Sequence, residues 1–222
     1  DRWGNIWIGT NGGGLIYFDR KNNTFRQYLH EPGNKNSLSG NVIVSLGIDY
    51  EGILWIGTYL AGLNRFDGKN FKHYRYHAND PSGLSSDHIW EIYEDRDHNL
   101  WIGTLGGGLD LLDRKTDSFT HYRSTDGQTG PLRSNFISAI LQDRKGNLWI
   151  GTTSGIALFE KNKNAPVYFQ HSNDKNSLSE NNVICFLEDS KGRMWIGTRE
   201  GLNLYSEETR QFQVFTTSEG LS

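Results

Sequence analysis

The chain has 222 residues, with 23 basic and 26 acidic side chains and a net charge of −3 at pH 7. This balanced charge provides no basic surface for phosphate backbones or anionic lipid, so nucleic acid and membrane contact by this segment are excluded from the leading hypotheses. No apolar run approaches the roughly 18 residues of a membrane-spanning helix. The single cysteine, Cys185, excludes an internal disulfide and a multi-cysteine metal site, and we expect it to be a small buried residue.

The tetrapeptide WIGT occurs five times and defines a repeat. Successive copies start 48, 46, 48 and 46 residues apart, a period typical of one blade of a β-propeller. An aspartate lies six residues before each tryptophan. A glycine lies three residues before the tryptophan, except in the third copy, where His98 takes that position. This spacing is typical of a tight turn between two strands. The pairs are Asp1 with Trp7, Asp49 with Trp55, Asp95 with Trp101, Asp143 with Trp149 and Asp189 with Trp195.

Each full repeat predicts four short strands, which we denote a to d. Strand a is the apolar and β-branched segment before the aspartate turn, and strand b contains WIGT. Strand c follows a short b–c link, and strand d is aromatic. Four strands without helical periodicity predict an all-β fold, a β-propeller of four-stranded antiparallel blades.

About five blades are present, and the first lacks strand a. The predicted blades of this single, partial domain span residues 1–34, 38–80, 84–128, 132–174 and 178–217. We expect further blades of the same protein to complete a propeller of about seven, and we interpret residues 219–222 as the approach to another strand a.

The repeats are uniform at one end and variable at the other. The leucine before strand a lies 17 residues before the WIGT tryptophan in every full repeat, as in Leu38 to Trp55. The distance from each tryptophan to the next such leucine varies from 26 to 31 residues. The a–b and c–d turns lie on one face, the turn face, which is uniform in sequence at its a–b turns. The b–c links and d-to-a connectors define the opposite, variable loop face. Binding residues usually lie on such loops, which makes the loop face the predicted functional surface.

The loop face supplies the candidate ligand-binding residues. Trp90 stands where the other full repeats have Val44, Ser138 and Ile184, and the b–c links depart from Gly-Gly-Leu in three repeats. The candidates are Tyr59, Leu60, Trp90, Arg123, Arg133, Arg199 and Glu200. We interpret the five turn aspartates as structural turn residues and the five WIGT tryptophans as inter-blade packing, because repetition in register favours a structural role. We assign no catalytic residue, metal ligand or cofactor.

The string Asp, two residues, Gly-Asn-Leu-Trp-Ile-Gly-Thr and then Gly-Gly-Leu resembles the repeat of the two-component regulator propeller family. The Asn-Ser-Leu-Ser of residues 36–39 and 176–179 matches the same pattern. The resemblance implies a ligand-sensing, periplasmic segment of a membrane-bound hybrid histidine kinase and response regulator of the Bacteroidetes type, a homodimer when complete. It further implies recognition of oligosaccharides released from polysaccharides and regulation of the genes for their use.

Two alternatives remain open from the residues alone. One is a carbohydrate-active propeller enzyme of the sialidase or lyase type, because the sialidase family also places an Asp-Gly turn before an aromatic strand. The other is a propeller that serves only as a protein-interaction scaffold. This chain shows no arginine triad and no unique pair of carboxylates, so we expect it to be no enzyme.

Overall fold

A computed structural model describes residues 1–126 and 129–217, in which the regular elements are antiparallel β-strands. This described part contains no helix that is long and apolar enough to cross a membrane. The chain divides into two compact units, one of residues Asp1–His121 and one from Tyr122 onward. Residues 219–222, the expected approach to another strand a, lie outside the described residues.

The first unit contains three sheets whose strands pair in chain order. The first sheet has strands b to d only: β1 (Ile6–Gly9), β2 (Leu15–Asp19) and β3 (Thr24–Tyr28). The second has all four: β4 (Ile43–Ile48), β5 (Leu54–Thr58), β6 (Leu63–Phe66) and β7 (Phe71–Tyr74). The third is formed by β8 (Ile89–Glu94), β9 (Leu100–Thr104), β10 (Leu109–Asp113) and β11 (Ser118–Tyr122).

The second unit contains two sheets with the same meander. The fourth sheet is formed by β12 (Ile137–Gln142), β13 (Leu148–Thr152), β14 (Gly155–Phe159) and β15 (Val167–Phe169). The fifth is formed by β16 (Val183–Glu188), β17 (Met194–Thr198), β18 (Leu202–Ser206) and β19 (Gln211–Phe215). Each strand a has a register shift between its first and third residues, the mark of a β-bulge.

The glycine of WIGT allows adjacent sheets to approach closely. A Cβ atom on Gly57 would lie 2.6 Å from Cγ2 of Ile89 in the following sheet of the first unit. A Cβ on Gly151 would lie 2.7 Å from Cγ1 of Val183 in the second unit. Both distances are far below van der Waals contact, and Ile89 and Val183 are fully buried. The inter-sheet core therefore requires glycine at this position of strand b.

The a–b turns have the backbone conformation that the Asp and Gly spacing predicts. The turn glycines adopt positive φ, with 83° at Gly52 and 88° at Gly146. His98 adopts the same left-handed conformation at φ 64°, as expected for the one repeat without glycine.

The expectation that Cys185 is buried is wrong, because its side chain is exposed. At the equivalent position of the second sheet, Ser45 faces the following sheet, and its Oγ accepts the backbone N–H of Ile92 at 3.1 Å. Cys185 belongs to strand a of the last sheet that the structure describes, where no further described sheet covers this side.

Candidate functional site

The repeated turn aspartates hold both the turn and the tryptophan of strand b. Oδ1 of Asp49 accepts the backbone N–H groups of Glu51 and Ile53, and Oδ2 accepts the indole N–H of Trp55 at 2.8 Å. The indole bond recurs at 2.9 to 3.0 Å in three more repeats, in the pairs Asp95 with Trp101, Asp143 with Trp149 and Asp189 with Trp195. These carboxylates are engaged by the scaffold, which removes them as candidates for acid–base chemistry.

Within each unit, a WIGT tryptophan also contacts the following sheet. The Trp7 ring lies 5.9 Å from the Phe66 ring in the second sheet. In the second unit, the Trp149 ring lies 5.0 Å from the Tyr205 ring in an edge-to-face arrangement. Trp7 and Trp149 thus each connect strand b of their own sheet to the following sheet.

An arginine joins the second and third sheets on the turn face. Arg114 donates from Nη1 to Oδ2 of Asp49 at 2.7 Å and from Nη2 to Oε1 of Glu94 at 3.0 Å. The Asp49 side chain has no exposed surface. Burial alone raises its pKa, but hydrogen bonds from Trp55 and Arg114 outweigh burial and hold the pKa of Asp49 below its usual value. The turn face is therefore held by buried, fully engaged polar groups.

A buried asparagine joins strand c to the segment before strand a. Asn64 has no exposed surface, and its Nδ2 donates to Oγ of Ser39 at 2.8 Å while its Oδ1 accepts the Ser39 backbone N–H at 2.8 Å. Asn203 and Ser179 repeat the arrangement in the second unit. Sequence reasoning missed this pair, although the Asn of GLN at residues 62–64 and 201–203 and the second Ser of NSLS carried the signal.

On the loop face of the first unit, Tyr59 stacks on His88, and Leu60 and Trp90 lie one and two residues along the chain from them. We call these four residues the loop-face cluster. The Tyr59 and His88 rings stack with centroids 5.6 Å apart and planes 13° from parallel. His88 immediately precedes β8, and Trp90 is the second residue of that strand, at the β-bulge. Tyr59, Leu60 and Trp90 are 42%, 58% and 39% exposed. The side chains of Tyr59, Leu60 and Trp90 thus expose apolar surface to solvent.

Backbone and ionic contacts fix the base of the loop-face cluster. The Tyr59 N–H donates to the carbonyl of Val42 at 3.1 Å, and the Gly62 N–H donates to the carbonyl of Asp87 at 3.0 Å. The Asp87 carboxylate accepts two hydrogen bonds from the Arg75 guanidinium, at 3.1 and 2.7 Å. Sequence reasoning missed His88, because its role depends on a ring from the preceding repeat.

The other candidate residues lie in the second unit. The Arg133 guanidinium lies 3.9 Å from the Tyr168 ring centroid, and the Tyr168 hydroxyl donates to the carbonyl of Gly130 at 2.8 Å. Arg133 is therefore held in a cation–π contact. Arg123 is exposed, as are Arg199 and Glu200 in the link between β17 and β18.

Glu91, the residue after Trp90, is an unusual carboxylate for strand a. Its counterparts are Ser45, Ala139 and Cys185. Burial raises the pKa of Glu91 to about 7. Between pH 4.5 and about 7 the folded state therefore binds more protons than the unfolded state, and the free energy of unfolding falls as the pH rises through this window.

Glu91→Gln is expected to remove this pH dependence. At pH 8 the variant should unfold with a free energy about 2 kcal/mol above that of the wild type, because the ionised, partly buried carboxylate is gone. At pH 4.5 the two proteins should be within about 0.5 kcal/mol of each other. Urea unfolding at both pH values measures the difference. The exposed Glu208→Gln is the control, and a Glu91→Gln gain equal at both pH values would refute the assignment.

The described residues, 1–126 and 129–217, contain no group of three or more His, Cys, Asp or Glu side chains that could hold a metal ion.

The five sheets, each a meander with the same order of strands and turns, define the class of this protein as a β-propeller. The family model for the two component regulator propeller matches residues 37–60, 83–106, 131–154 and 177–200. The chain belongs to this repeat family, as its sequence motifs predict. Among curated protein sequences, none is similar enough to count as a relative.

Two solved structures extend the comparison. The extracellular domain assigned to a hybrid two component system of B. thetaiotaomicron is 28% identical over 97% of this chain and 29% of that one, with a TM-score of 0.81. An extracellular domain assigned to a one component system of the same organism is 22% identical over 100% of this chain and 37% of that one, with a TM-score of 0.64. The chain thus spans about a third of the length of these structures.

An enzyme shares the fold. Virginiamycin B lyase from Staphylococcus aureus is 14% identical over 96% of this chain and 66% of that one, with a TM-score of 0.67. At this identity the similarity shows the propeller fold alone.

Proposed function

We propose that this chain is the ligand-sensing propeller segment of a membrane-bound hybrid two-component sensor that combines histidine kinase and response regulator. The segment is periplasmic, further blades of the same protein complete the propeller, and the whole sensor is a homodimer. Its ligand is an oligosaccharide released from a polysaccharide, and binding regulates transcription of the genes that use this sugar. The chain itself senses and has no catalytic function.

The family match and the 28% identical extracellular domain support the sensor role and the location outside the cytoplasm. The turn face supports the absence of catalysis in the chain, because its repeated aspartates bond to turn amides and indoles.

The observation that carries the ligand assignment is the loop-face cluster. Sugar rings present flat C–H faces that pack against aromatic rings, and Trp90 together with the Tyr59 and His88 pair presents such rings at the surface. The Asp87 and Arg75 pair adjoins the cluster and offers acceptors and donors for hydroxyl groups. Aromatic surfaces with a few fixed polar groups are typical of saccharide sites.

The experiment that tests the function is a glycan array on the complete extracytoplasmic domain, followed by calorimetry with the oligosaccharide it identifies. A specific neutral or acidic oligosaccharide is expected to bind. If no glycan binds stably and one of them is turned over, the chain is a carbohydrate-active enzyme and the sensor proposal is wrong.

Trp90→Ala is expected to weaken binding of that oligosaccharide at least tenfold, because the variant loses a stacking surface, and tenfold corresponds to about 1.4 kcal/mol. Isothermal titration calorimetry on the complete extracytoplasmic domain measures the change. Trp3→Ala is the matched control, since Trp3 is an exposed tryptophan on the turn face. Unchanged affinity in Trp90→Ala would remove the loop-face cluster as the ligand site.

A further inference from the structure

A cavity lies on the turn face, between the first and second sheets of the first unit. Its volume is about 540 Å³. Six aromatic residues line it, and four of them pack in pairs, with centroids 4.5 Å apart for Trp7 and Tyr17 and 5.2 Å apart for Tyr28 and Phe66. This cavity is separate from the loop-face cluster, because the a–b turns of both sheets and the c–d turn of the second sheet border it.

The equivalent cleft between the second and third sheets is occupied by a side chain of the chain itself. Arg114 follows the last residue of strand c in the third sheet and reaches back to the turn aspartate of the second sheet, Asp49. Its guanidinium also lies 5.2 Å from the Tyr50 ring centroid. An alkylguanidinium group therefore fits this type of cleft, between a turn carboxylate and aromatic rings.

In the first cleft, the residue that corresponds to Arg114 is a glycine. Gly68 follows strand c in the second sheet, where the other repeats have Arg20, Arg114, Lys161 and Glu207. Gly68 has a φ of 95° in a tight turn closed by Asp67 and Asn70, and a Cβ there would meet nothing within 4 Å. In the second unit, Glu207 at this position forms an ion pair with Lys145 of the preceding sheet. The first cleft alone among these three has no side chain at this position.

We infer that the cavity between the first and second sheets binds an alkylguanidinium group, supplied by a small molecule or by an arginine side chain of a partner. Asp1 is the turn aspartate of the first sheet and corresponds to Asp49, so it is the expected guanidinium partner. Glu51 and Asp67 add carboxylates at the rim, and the aromatic wall favours a cation.

The two arginines at the rim are held over aromatic rings. The guanidinium carbon of Arg26 lies 4.8 Å from the Tyr28 ring centroid, and that of Arg2 lies 4.5 Å from the Trp3 ring centroid. These contacts show that the rings around the cavity already attract guanidinium groups. A ligand guanidinium that pairs with the Asp1 carboxylate would likewise lie beside these rings.

The test transfers the natural occupant into the empty cleft. In the complete extracytoplasmic domain, residues 67–70 (Asp-Gly-Lys-Asn) are replaced by the turn of residues 113–118 (Asp-Arg-Lys-Thr-Asp-Ser), which places an arginine at the cleft. The control graft carries alanine in place of that arginine. Calorimetry with agmatine and with a blocked Gly-Arg-Gly peptide measures binding to the wild type and to both grafts.

The wild type and the alanine graft are expected to bind agmatine, and the arginine graft to bind it at least tenfold more weakly. Binding of the peptide without agmatine would identify a protein partner as the source of the group. If a graft fails to fold, Asp1→Asn is expected to weaken binding tenfold. Failure of both probes to bind the wild type, or equal binding by the two grafts, would overturn the inference. Oligosaccharide binding should be unchanged in both grafts, which separates this result from the proposed function.

Discussion

Asp49→Ala is expected to lower the free energy of unfolding by about 3 to 5 kcal/mol. The Asp49 carboxylate is fully buried and bonds to two turn amides, the Trp55 indole and the Arg114 guanidinium. Its removal leaves a partly buried cation and an indole N–H without their acceptor, and each unpaired group is destabilising. Urea unfolding of the wild type and the variant at pH 7 measures the loss.

The matched control for this variant is Asp67→Ala. Asp67 also caps a turn, accepting the N–H groups of Lys69 and Asn70, but it is exposed. Its removal should lower the free energy of unfolding by about 0.5 to 1 kcal/mol. Equal losses in the two variants would show that Asp49 is only a turn cap and that the inter-sheet bond contributes nothing.

Gly57→Ala is expected to lower the free energy of unfolding by about 2 to 3 kcal/mol. The added Cβ would lie 2.6 Å from Cγ2 of Ile89, a fully buried side chain in the following sheet. One of the two sheets must move to relieve this overlap, and the core on both sides loses contact. Chemical denaturation measures the effect.

A double variant isolates the steric cause. Ile89→Ala removes the atom that the new methyl group meets, so Gly57→Ala should be destabilising by less than about 1 kcal/mol in that background. If Gly57→Ala lowers the free energy of unfolding equally in both backgrounds, the loss comes from the backbone of strand b. The WIGT glycine would then have no role in sheet packing.

The sequence predicted the repeat, the strands and the turn conformations because these depend on local chemistry. The Asp and Gly turn and the apolar, β-branched and aromatic composition of the strands each act within one repeat, and the repeat itself is visible in the 48- and 46-residue spacing. The left-handed conformation of His98 was also predicted, because the turn requires a positive φ at this position whatever the side chain.

The sequence predicted that the WIGT tryptophans pack between blades, but it could not identify the individual partners in the neighbouring repeat, because these depend on how far apart adjacent sheets lie. The bond from Arg114 to Asp49 joins residues 65 positions apart, and the Tyr59 and His88 stack joins two different repeats. The role of Gly57 has the same origin, since only the approach of Ile89 reveals why strand b cannot carry a larger residue. The candidate Arg133 likewise gained an aromatic partner, Tyr168, that no spacing rule identifies.

The central claim is that the loop face binds the ligand and the turn face holds the scaffold. Hydrogen–deuterium exchange of the complete extracytoplasmic domain, with and without the oligosaccharide identified on the array, tests it most directly. We expect slower exchange at residues 59–62 and 88–90 when the oligosaccharide is bound, with no change in the turn at 49–53. Slower exchange confined to the turn at 49–53, with no effect on the two loop-face segments, would contradict it.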